Sequence, residues 1–473
     1  MNKYFITRIS ILLILGVFIF TSGIGCRGGS LVAKKEAEKK IELDVWTVFD
    51  SQQDMQDLIN GYVKLHKNVK FNVRRFNFQE YQTALLDAFA EERGPDIFAL
   101  PNTWVKGYQN KTIPLPDTIT LPVKVLKGSI KQETVIELQT KKTLSPKELK
   151  TKFIDTVYND VVYQATVTVE GKKSTVDKIY ALPLAVDVLA LYYNVDLLNA
   201  ASISQPASDW TQFAEQVKKI TKLDTDGNIL IAGGAIGTGS NIERASDIIS
   251  LLMMQNGTEM TDASGSNPTF HQFPKNNQNN RDTLPSEEAL VFYTNFANKN
   301  LDTYTWNNTL PHSLEAFISG QSAYFFGYAY HREQIQKRAP RLNFNVAPAP
   351  IIAGNEPVYY ANYWLYTVSK QTSASEWAWD FLLYATDAKN VEPYLTKLRK
   401  PTGLRALIDK QKEDIEMRPF MDMVLSAKSW YHGRDAITAE KIMRAMLDSV
   451  VEERAFANEA IKQAAGLVQQ TMR

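Results

Sequence analysis

The sequence predicts an α/β protein folded in two lobes, and three observations support this. The chain has 473 residues, which is too long for a single hydrophobic core. Near its beginning strands and helices alternate in the βαβ order that produces a parallel sheet. Farther on, the stretch 179–198 passes a proline break and a lone Asp187 and then enters the apolar run 188–193. Such a run is typical of a strand that is buried on both faces.

The first βαβ series places a candidate binding edge. We expect strands at 41–49, 69–73 and 96–100, with helices at 52–66 and 81–92 between them. In open sheets of this kind, ligands lie beyond the carboxyl ends of the strands. The residues that follow the first and third strands are Phe49, Asp50, Ser51 and Trp104. Asp50 and Ser51 can also cap the helix that comes next.

Asp187 allows two interpretations. A lone carboxylate between two buried strands is not expected to lie unpaired in a core. It either caps or pairs with a local group, or it faces a ligand where the chain passes between the lobes. The order of elements along the whole chain favours the ligand-facing interpretation.

The rest of the chain continues the α/β pattern. Residues 115–178 are the least regular part, and we expect surface decoration with a helix at 145–157 and a strand at 161–169. Glycines at 233–239 predict a close-packed loop, and residues 258–281 predict an exposed polar loop. The remaining predicted helices are 210–221, 242–255, 286–299, 313–319 and 375–384, the remaining strands are 321–327, 343–350 and 359–368, and 391–473 is helical with two interruptions.

The amino terminus predicts export. Lys3 and Arg8 precede a predominantly apolar run of 12 residues, 9–20, and small residues then lead to Cys26. This order matches a secretory signal, and the run is shorter than the roughly 20 residues that span a bilayer. The pattern resembles the bacterial lipoprotein box, in which the cysteine is lipidated, although Gly23 replaces the usual Leu. The alternative is an uncleaved membrane anchor.

The composition and motifs of the sequence argue against several classes of function. The formal net charge is +1, which argues against nucleic-acid binding. Cys26 is the only cysteine, so the chain forms no internal disulfide and no zinc cluster of cysteines. The five histidines are scattered without ligand spacing, and residues 224–235 lack the final Glu of a calcium loop. The nucleophile elbow, the zinc-protease motif and the P-loop are absent from the sequence, so we expect no enzyme, metal or cofactor.

Five segments together resemble the extracellular solute-binding proteins of ABC importers, the broad family that includes maltose-binding protein. In chain order they are 45–64, then 94–98 followed by Trp104, then 179–196 followed by Asp209-Trp210, then 317–327, and last 362–365, which leads to the helix of Trp377. Each motif is loose alone, but their order and spacing are specific, and the resemblance covers most of residues 41–473.

The resemblance implies a two-lobed periplasmic-binding-protein-like fold with discontinuous lobes and hinge crossings. The crossings match 187–188, about 360–362 and about 399–402 of this sequence. Lobe 1 would comprise 41–187 plus 361–399, and lobe 2 would comprise 188–360 plus 400–473. A signal peptide, 1–25, and a flexible tether, 26–40, would precede them.

The resemblance also implies a ligand between the lobes, and the residue types suit a sugar. Aromatic rings stack on the C–H faces of a pyranose, and Asp, Asn and Arg pair with its hydroxyls. Family positions match Asp50, Trp104, Asp187, Tyr328 and Trp430. The full set of expected ligand-binding residues is Phe49, Asp50, Ser51, Trp104, Asp187, Trp306, Tyr328, Tyr330, Asn362, Trp364, Trp430 and Arg434. The family often places further contacts in the middle of lobe 2, where residues 258–281 offer no clear match.

The leading hypothesis is therefore a substrate-binding lipoprotein of an ABC transporter. We expect it to be a monomer that captures a mono- or oligosaccharide, docks on permease subunits and is held to the membrane through lipidated Cys26. One alternative is a surface adhesion protein that reuses this fold, with 115–178 as its partner surface. The second alternative is a secreted carbohydrate-active enzyme, since the sequence does not exclude a pair of carboxylates for glycoside hydrolysis.

Overall fold

The computed structural model describes residues 31–127, 132–169, 172–275 and 282–473. The predicted signal segment with Cys26 lies outside these residues, as does the end of the predicted polar loop, 276–281. Among the residues it describes, the structure contains no helix with the length and apolarity that crossing a membrane requires.

The first sheet has four strands, and its order confirms the predicted βαβ series. β1 pairs in parallel with both β2 and β3, and β14 returns from late in the chain to pair antiparallel with β3. The strands, in sheet order, are β14 (Trp364–Val368), β3 (Ile97–Pro101), β1 (Ile41–Thr47) and β2 (Val69–Arg75). All five side chains of β3 are buried, as expected for an inner strand covered on both faces.

The helix after β1 forms where the sequence predicts it. Helix α2 (Gln52–Leu65) begins at Ser51, whose hydroxyl accepts from the backbone N–H of Asp54 at 3.2 Å. The Asp54 carboxylate accepts in return from the Ser51 backbone N–H at 2.8 Å, which completes a capping box. Helix α3 (Phe78–Ala90) then leads to β3, the short helix α4 (Val105–Tyr108) follows β3, and the short helix α1 (Leu31–Glu38) precedes β1.

The second sheet has three antiparallel strands around the apolar run that the sequence singled out. Its central strand is β8 (Ala190–Asn194), flanked by β11 (Tyr324–Gly327) and β12 (Phe344–Pro348). β12 lies at the edge of the sheet, where a proline that lacks an N–H is tolerated. Asn194 ends β8 and caps helix α7 (Val195–Ala200), because its side-chain oxygen accepts from two backbone N–H groups of that helix.

Residues 115–178 are more regular than expected. The predicted single helix at 145–157 is wrong, because the chain breaks at Phe153 and Ile154 into α5 (Pro146–Lys152) and α6 (Asp155–Val161). Two antiparallel hairpins complete the segment, β4 (Thr118–Lys127) with β5 (Glu133–Lys142), and β6 (Val162–Val169) with β7 (Lys172–Ile179). The first hairpin is fastened to the body of the protein, because Lys141 pairs with the buried carboxylate of Asp380.

Most of the remaining predicted elements are present with shifted ends. The strand expected at 359–368 is interrupted and forms β13 (Tyr359–Tyr360) and β14, and β13 pairs in parallel with β15 (Ala427–Lys428). In the predicted exposed loop 258–281, Met260 and Phe270 are buried. The other helices are α8 (Trp210–Ile220), α9 (Ala245–Gln255), α10 (Pro285–Asn295), α11 (Ser313–Ile318), α12 (Ala329–Arg338), α13 (Ser375–Ala385), α14 (Ala388–Leu398), α15 (Arg405–Lys412), α16 (Arg418–Met423), α17 (Ala436–Val451) and α18 (Ala457–Met472), and a short β9 (Lys222–Leu223) pairs with β10 (Ile229–Ile231).

The segments predicted to cross between lobes lie side by side. Val188 forms a β-bridge with Ala361, and the backbone N–H of Leu189 donates to the carbonyl of Tyr360 at 2.9 Å. The N–H of Val186 donates to the carbonyl of Pro401, also at 2.9 Å. Three stretches that are far apart in sequence therefore run together between the two sheets. The lobe boundaries drawn through them stay predictions.

Candidate functional site

Three aromatic side chains from the first sheet gather at its carboxyl edge. Phe49 follows β1, Trp104 follows β3 and Trp364 begins β14. The ring centroids of Phe49 and Trp364 are 5.3 Å apart, and those of Trp104 and Trp364 are 6.4 Å apart. Trp104 is buried against Tyr108, with the two rings nearly parallel at 5.8 Å, whereas Phe49 is 43% exposed.

Two tyrosines from the second sheet meet this group. Tyr328 and Tyr330 follow β11, and their rings are nearly parallel at 6.2 Å. Tyr330 is 37% exposed, and its ring centroid lies 5.5 Å from that of Phe49. The structure therefore brings together aromatic side chains that follow strands of both sheets, and the exposed ones among them face solvent.

Asp187 lies at the base of this group, at the start of helix α12. Its two carboxylate oxygens each accept from the backbone N–H of Ala329 at 3.0 Å, and Oδ1 also accepts from the N–H of Val188 at 2.9 Å. Burial raises the pKa of Asp187 to about 7, although these hydrogen bonds oppose the rise. The carboxylate thus caps a helix 142 residues away, and Asp187 remains partly exposed.

Asp50 and Ser51 are both engaged by other side chains of the protein. The Asp50 carboxylate is 6% exposed, accepts from Tyr394 Oη at 2.6 Å and also binds Tyr366 and the Lys400 ammonium group. Burial would raise the pKa of Asp50, but Lys400 and the two tyrosine hydroxyls together hold it below its usual value. The Ser51 hydroxyl donates to Asp54 at 2.6 Å within the capping box.

Sequence reasoning missed an ion network beside the aromatic group. Arg244 Nε donates to Asp247 Oδ2 at 2.7 Å and Nη2 donates to Oδ1 at 3.0 Å, and the guanidinium also binds both oxygens of Glu440 at 3.1 and 3.2 Å. Asp247 Oδ2 further accepts from Tyr328 Oη at 2.6 Å and from Asn362 Nδ2 at 3.3 Å. Two residues of the expected set are therefore held by carboxylate oxygens of this network.

One signal in the sequence could have revealed this network. Helix α9 was predicted from its apolar residues, yet Ser246, Asp247 and Ser250 interrupt them on one side of the helix, and all three are buried. Buried polar side chains require partners, so a polar stripe in an otherwise apolar helix indicates a second polar element packed against it.

A cavity opens next to the network. Its volume is about 20 Å³, and it is lined by Thr103 from the loop after β3 and by Trp430, Asp247 and Glu440 among others. The Trp430 ring is 6% exposed, and its Nε1 donates to Ser250 Oγ at 3.0 Å. The cavity joins residues from both sides of the predicted hinge.

The structure does not bring Trp306 and Arg434 into the same group. Trp306 is fully buried, and its Nε1 donates to Asn241 at 3.0 Å, so it has no free face in this arrangement. Arg434 is exposed at the start of the segment before α17, and its backbone lies against Gly107.

A second missed network centres on Asp160, which is fully buried. Its carboxylate accepts from Asn102 Nδ2 at 3.0 Å and Tyr363 Oη at 2.7 Å, and it lies 2.9 Å from His432 Nε2. Ser429 donates to the same group. This carboxylate ties the loop after β3 to the segment that carries Trp430.

Metal binding has no support in the described part of the chain. Within residues 31–127, 132–169, 172–275 and 282–473, no three His, Cys, Asp or Glu side chains are placed to hold a metal ion.

Comparison with known proteins agrees with the resemblance drawn from the sequence. Residues 49–392 match the model of a family described as bacterial extracellular solute-binding protein. The maltodextrin-binding protein MdxE of Bacillus subtilis is 24% identical over 261 residues, a match that spans 52% of this chain and 56% of that protein.

Solved structures confirm the two-lobed α/β fold. The ABC substrate-binding protein Lmo0181 of Listeria monocytogenes, in complex with cycloalternan, superposes with a TM-score of 0.67 at 15% identity, covering 92% of this chain and 99% of that one. The cyclic α-maltosyl-1,6-maltose binding protein of Arthrobacter globiformis gives a TM-score of 0.68 at 16% identity, with coverage of 92% and 99%. A solute-binding protein of Thermotoga lettingae bound with α-D-tagatose gives 0.65 at 17% identity, with coverage of 92% and 100%.

Proposed function

The chain belongs to the bacterial extracellular solute-binding protein family, and we propose that it captures a carbohydrate between its two lobes for an ABC importer. The observation that carries the proposal is that the Phe49 ring contacts residues of both sheets: its centroid lies 5.3 Å from that of Trp364 and 5.5 Å from that of Tyr330. Aromatic rings stack on the C–H faces of sugar rings, and the nearby carboxylates accept from hydroxyls. The sugar-bound neighbours of the same fold support this ligand class.

The proposed mechanism is closure of the two lobes around the sugar. The cavity beside Trp430 has a volume of about 20 Å³, far below the roughly 300–1,000 Å³ of ordinary small-molecule sites. A ligand of several rings therefore requires the lobes to separate, admit it and close again, with the three side-by-side crossings as the hinge. Permease subunits that bind only the closed form would then detect an occupied monomer.

Calorimetric titration against saccharides, amino acids and peptides tests the proposal. We expect binding to at least one saccharide, and Phe49→Ala should weaken it about 5- to 30-fold, since a desolvated ring contact contributes roughly 1–2 kcal/mol. Phe456→Ala is the matched control, because Phe456 is 79% exposed at the N-cap of α18 and does not line the cavity. Binding of an amino acid or peptide, with no saccharide bound, would refute the carbohydrate assignment.

We further propose that lipidated Cys26 anchors the protein outside the cytoplasmic membrane. The basic residues, the short apolar run and the small residues before Cys26 support this, as does membership of an extracellular family. Cys26→Ser should release the protein from membranes, because a lipid anchor requires the thiol. If the variant stays in the membrane fraction at full length, the segment is an uncleaved anchor instead.

A further inference from the structure

We propose that the cleft selects neutral or amino-bearing saccharides and rejects acidic ones, with Glu440 as the residue that sets this preference. The inference rests on the proposed function and adds the charge of the ligand. It follows from how Arg244, Asp247 and Glu440 are placed around the cavity beside Trp430.

The guanidinium group of Arg244 already donates hydrogen bonds to two carboxylates. Of its five N–H groups, one on Nε, two on Nη2 and one on Nη1 are directed at the carboxylates of Asp247 and Glu440. Its side chain is only 19% exposed. A sugar carboxylate entering the cavity would have to displace one of these bidentate partners, because the free guanidinium fork that such a group requires is not available.

The carboxylates outnumber the cation. Asp247 and Glu440 both line the cavity, and none of the lining residues, all of them in the described ranges, is a lysine or arginine. Glu243 adds a third carboxylate beside Arg244, with His312 Nε2 at 3.6 Å and His331 Nε2 at 3.9 Å. Burial opposes ionisation of Glu243, but these histidines and Arg244 hold its pKa below the usual value.

The backbone shows that this arrangement is held in place. Arg244 has a φ of +56°, in the left-handed region that a side chain other than glycine rarely adopts. This conformation puts Arg244 at the N-cap of α9 with its guanidinium between Asp247 of that helix and Glu440 of α17. A strained residue that orients an ion network at a cleft indicates a role at the site rather than in the core.

The other charged side chains near the predicted hinge do not line this cavity. Lys400 is paired with Asp50, and Arg332 and Arg399 both pair with Glu416. Arg434 is exposed, but it is not among the residues that line the cavity. A neutral sugar can donate its hydroxyls to Glu440, whose side chain is 32% exposed, and an ammonium group would gain from the same negative charge, whereas an anion would be repelled in a partly desolvated space.

The experiment is a calorimetric titration at pH 7 with three matched disaccharide series: neutral, N-unsubstituted amino sugar, and uronic acid. We expect binding within the neutral or amino series and at least 100-fold weaker binding of the uronic acid with the same ring configuration. Glu440→Gln should narrow that ratio about tenfold, because one negative charge is removed from the cavity wall. Glu333→Gln is the matched control, since Glu333 is 70% exposed and pairs with Lys337 on the surface of α12.

The outcomes separate this inference from the proposed function. Uronic acids that bind as tightly as their neutral counterparts would overturn the charge preference while leaving saccharide capture intact. If Glu440→Gln leaves the ratio of neutral to uronic-acid affinity unchanged, with the fold verified by circular dichroism, then Glu440 does not set the charge preference. Binding of a different solute class, with no saccharide of any charge bound, would refute the proposed function itself.

Discussion

Replacing Asp50 by asparagine separates a structural carboxylate from a ligand-binding one. The substitution keeps the size of the side chain but removes the charge that holds Lys400 and the hydroxyls of Tyr366 and Tyr394. Neutralising one member of a buried ion pair costs about 3–5 kcal/mol. Because the Lys400 side chain is 27% exposed and can be partly hydrated, we expect the lower end, about 3 kcal/mol.

Urea unfolding followed by circular dichroism measures this loss. Asp57→Asn is the matched control, because Asp57 lies on the neighbouring helix α2 with its side chain 65% exposed, and it should change stability by less than about 0.5 kcal/mol. Adding Lys400→Met to Asp50→Asn should recover part of the loss, since the unpaired cation is then removed. A loss below about 1 kcal/mol for Asp50→Asn would refute the reasoning, as would lost saccharide affinity with unchanged stability.

The pH dependence of the same variant gives an independent check. The pKa of Asp50 is lowered in the folded protein, so its contribution is complete above the unfolded pKa near 3.8. It is lost as the pH falls through the lower folded value. The stability gap between the wild type and Asp50→Asn should therefore be constant from pH 5 to 8 and close as the pH falls below about 4.

Two further perturbations test the buried carboxylates. The pKa of Asp187 is raised to about 7 in the folded protein, so the stability that its protonated carboxyl group contributes is complete below pH 3.8 and is lost as the pH rises through 7. Relative to Asp187→Asn, the wild type should therefore be more stable at pH 5 than at pH 8. We expect a difference of the order of 2 kcal/mol in the free energy of urea unfolding. An equal gap at both pH values would show that the group is ionised throughout. Asp160→Ala should lower the free energy of unfolding by about 3–5 kcal/mol, because Asn102, Tyr363 and His432 lose a buried partner. Asp155→Ala is the control: the Asp155 side chain is 64% exposed on the same helix, and its loss should lower the free energy of unfolding clearly less. Similar losses in the two variants would contradict the importance of the buried network.

Features that depend on neighbouring residues were predictable. Ser51 caps α2 and Asp209 caps α8, where Asp209 Oδ1 accepts from the Gln212 N–H at 2.8 Å, because a cap requires only a polar side chain and a following turn of helix. The apolar run at 188–193 supplies most of the central strand of the second sheet. It was recognisable because a strand that is buried on both faces is apolar at every position instead of at every second one. The family resemblance rests on the same local signals in order.

Features that depend on distant partners were not predictable. Asp50 was expected to face a ligand, yet it is held by Lys400, which lies 350 residues away in sequence. Asp160 and Arg244 passed unnoticed because each is an ordinary charged residue until Ser429 or Glu440 is brought beside it. The break between α5 and α6 was missed because the helical pattern of 145–157 gives no sign of the β-bridge from Phe153 to Leu404.

The sequence by itself determined the α/β class, the order of the elements and the aromatic residues at the strand ends, since periodicity and capping act over a few residues. The tertiary structure alone decided which of the expected site residues share a surface. Phe49, Trp364 and Tyr330 meet, whereas Trp306 is fully buried, and the charge of the cleft is set by how Arg244 divides its hydrogen bonds between two carboxylates. The physical reason is that burial and pairing of polar groups depend on contacts between segments hundreds of residues apart.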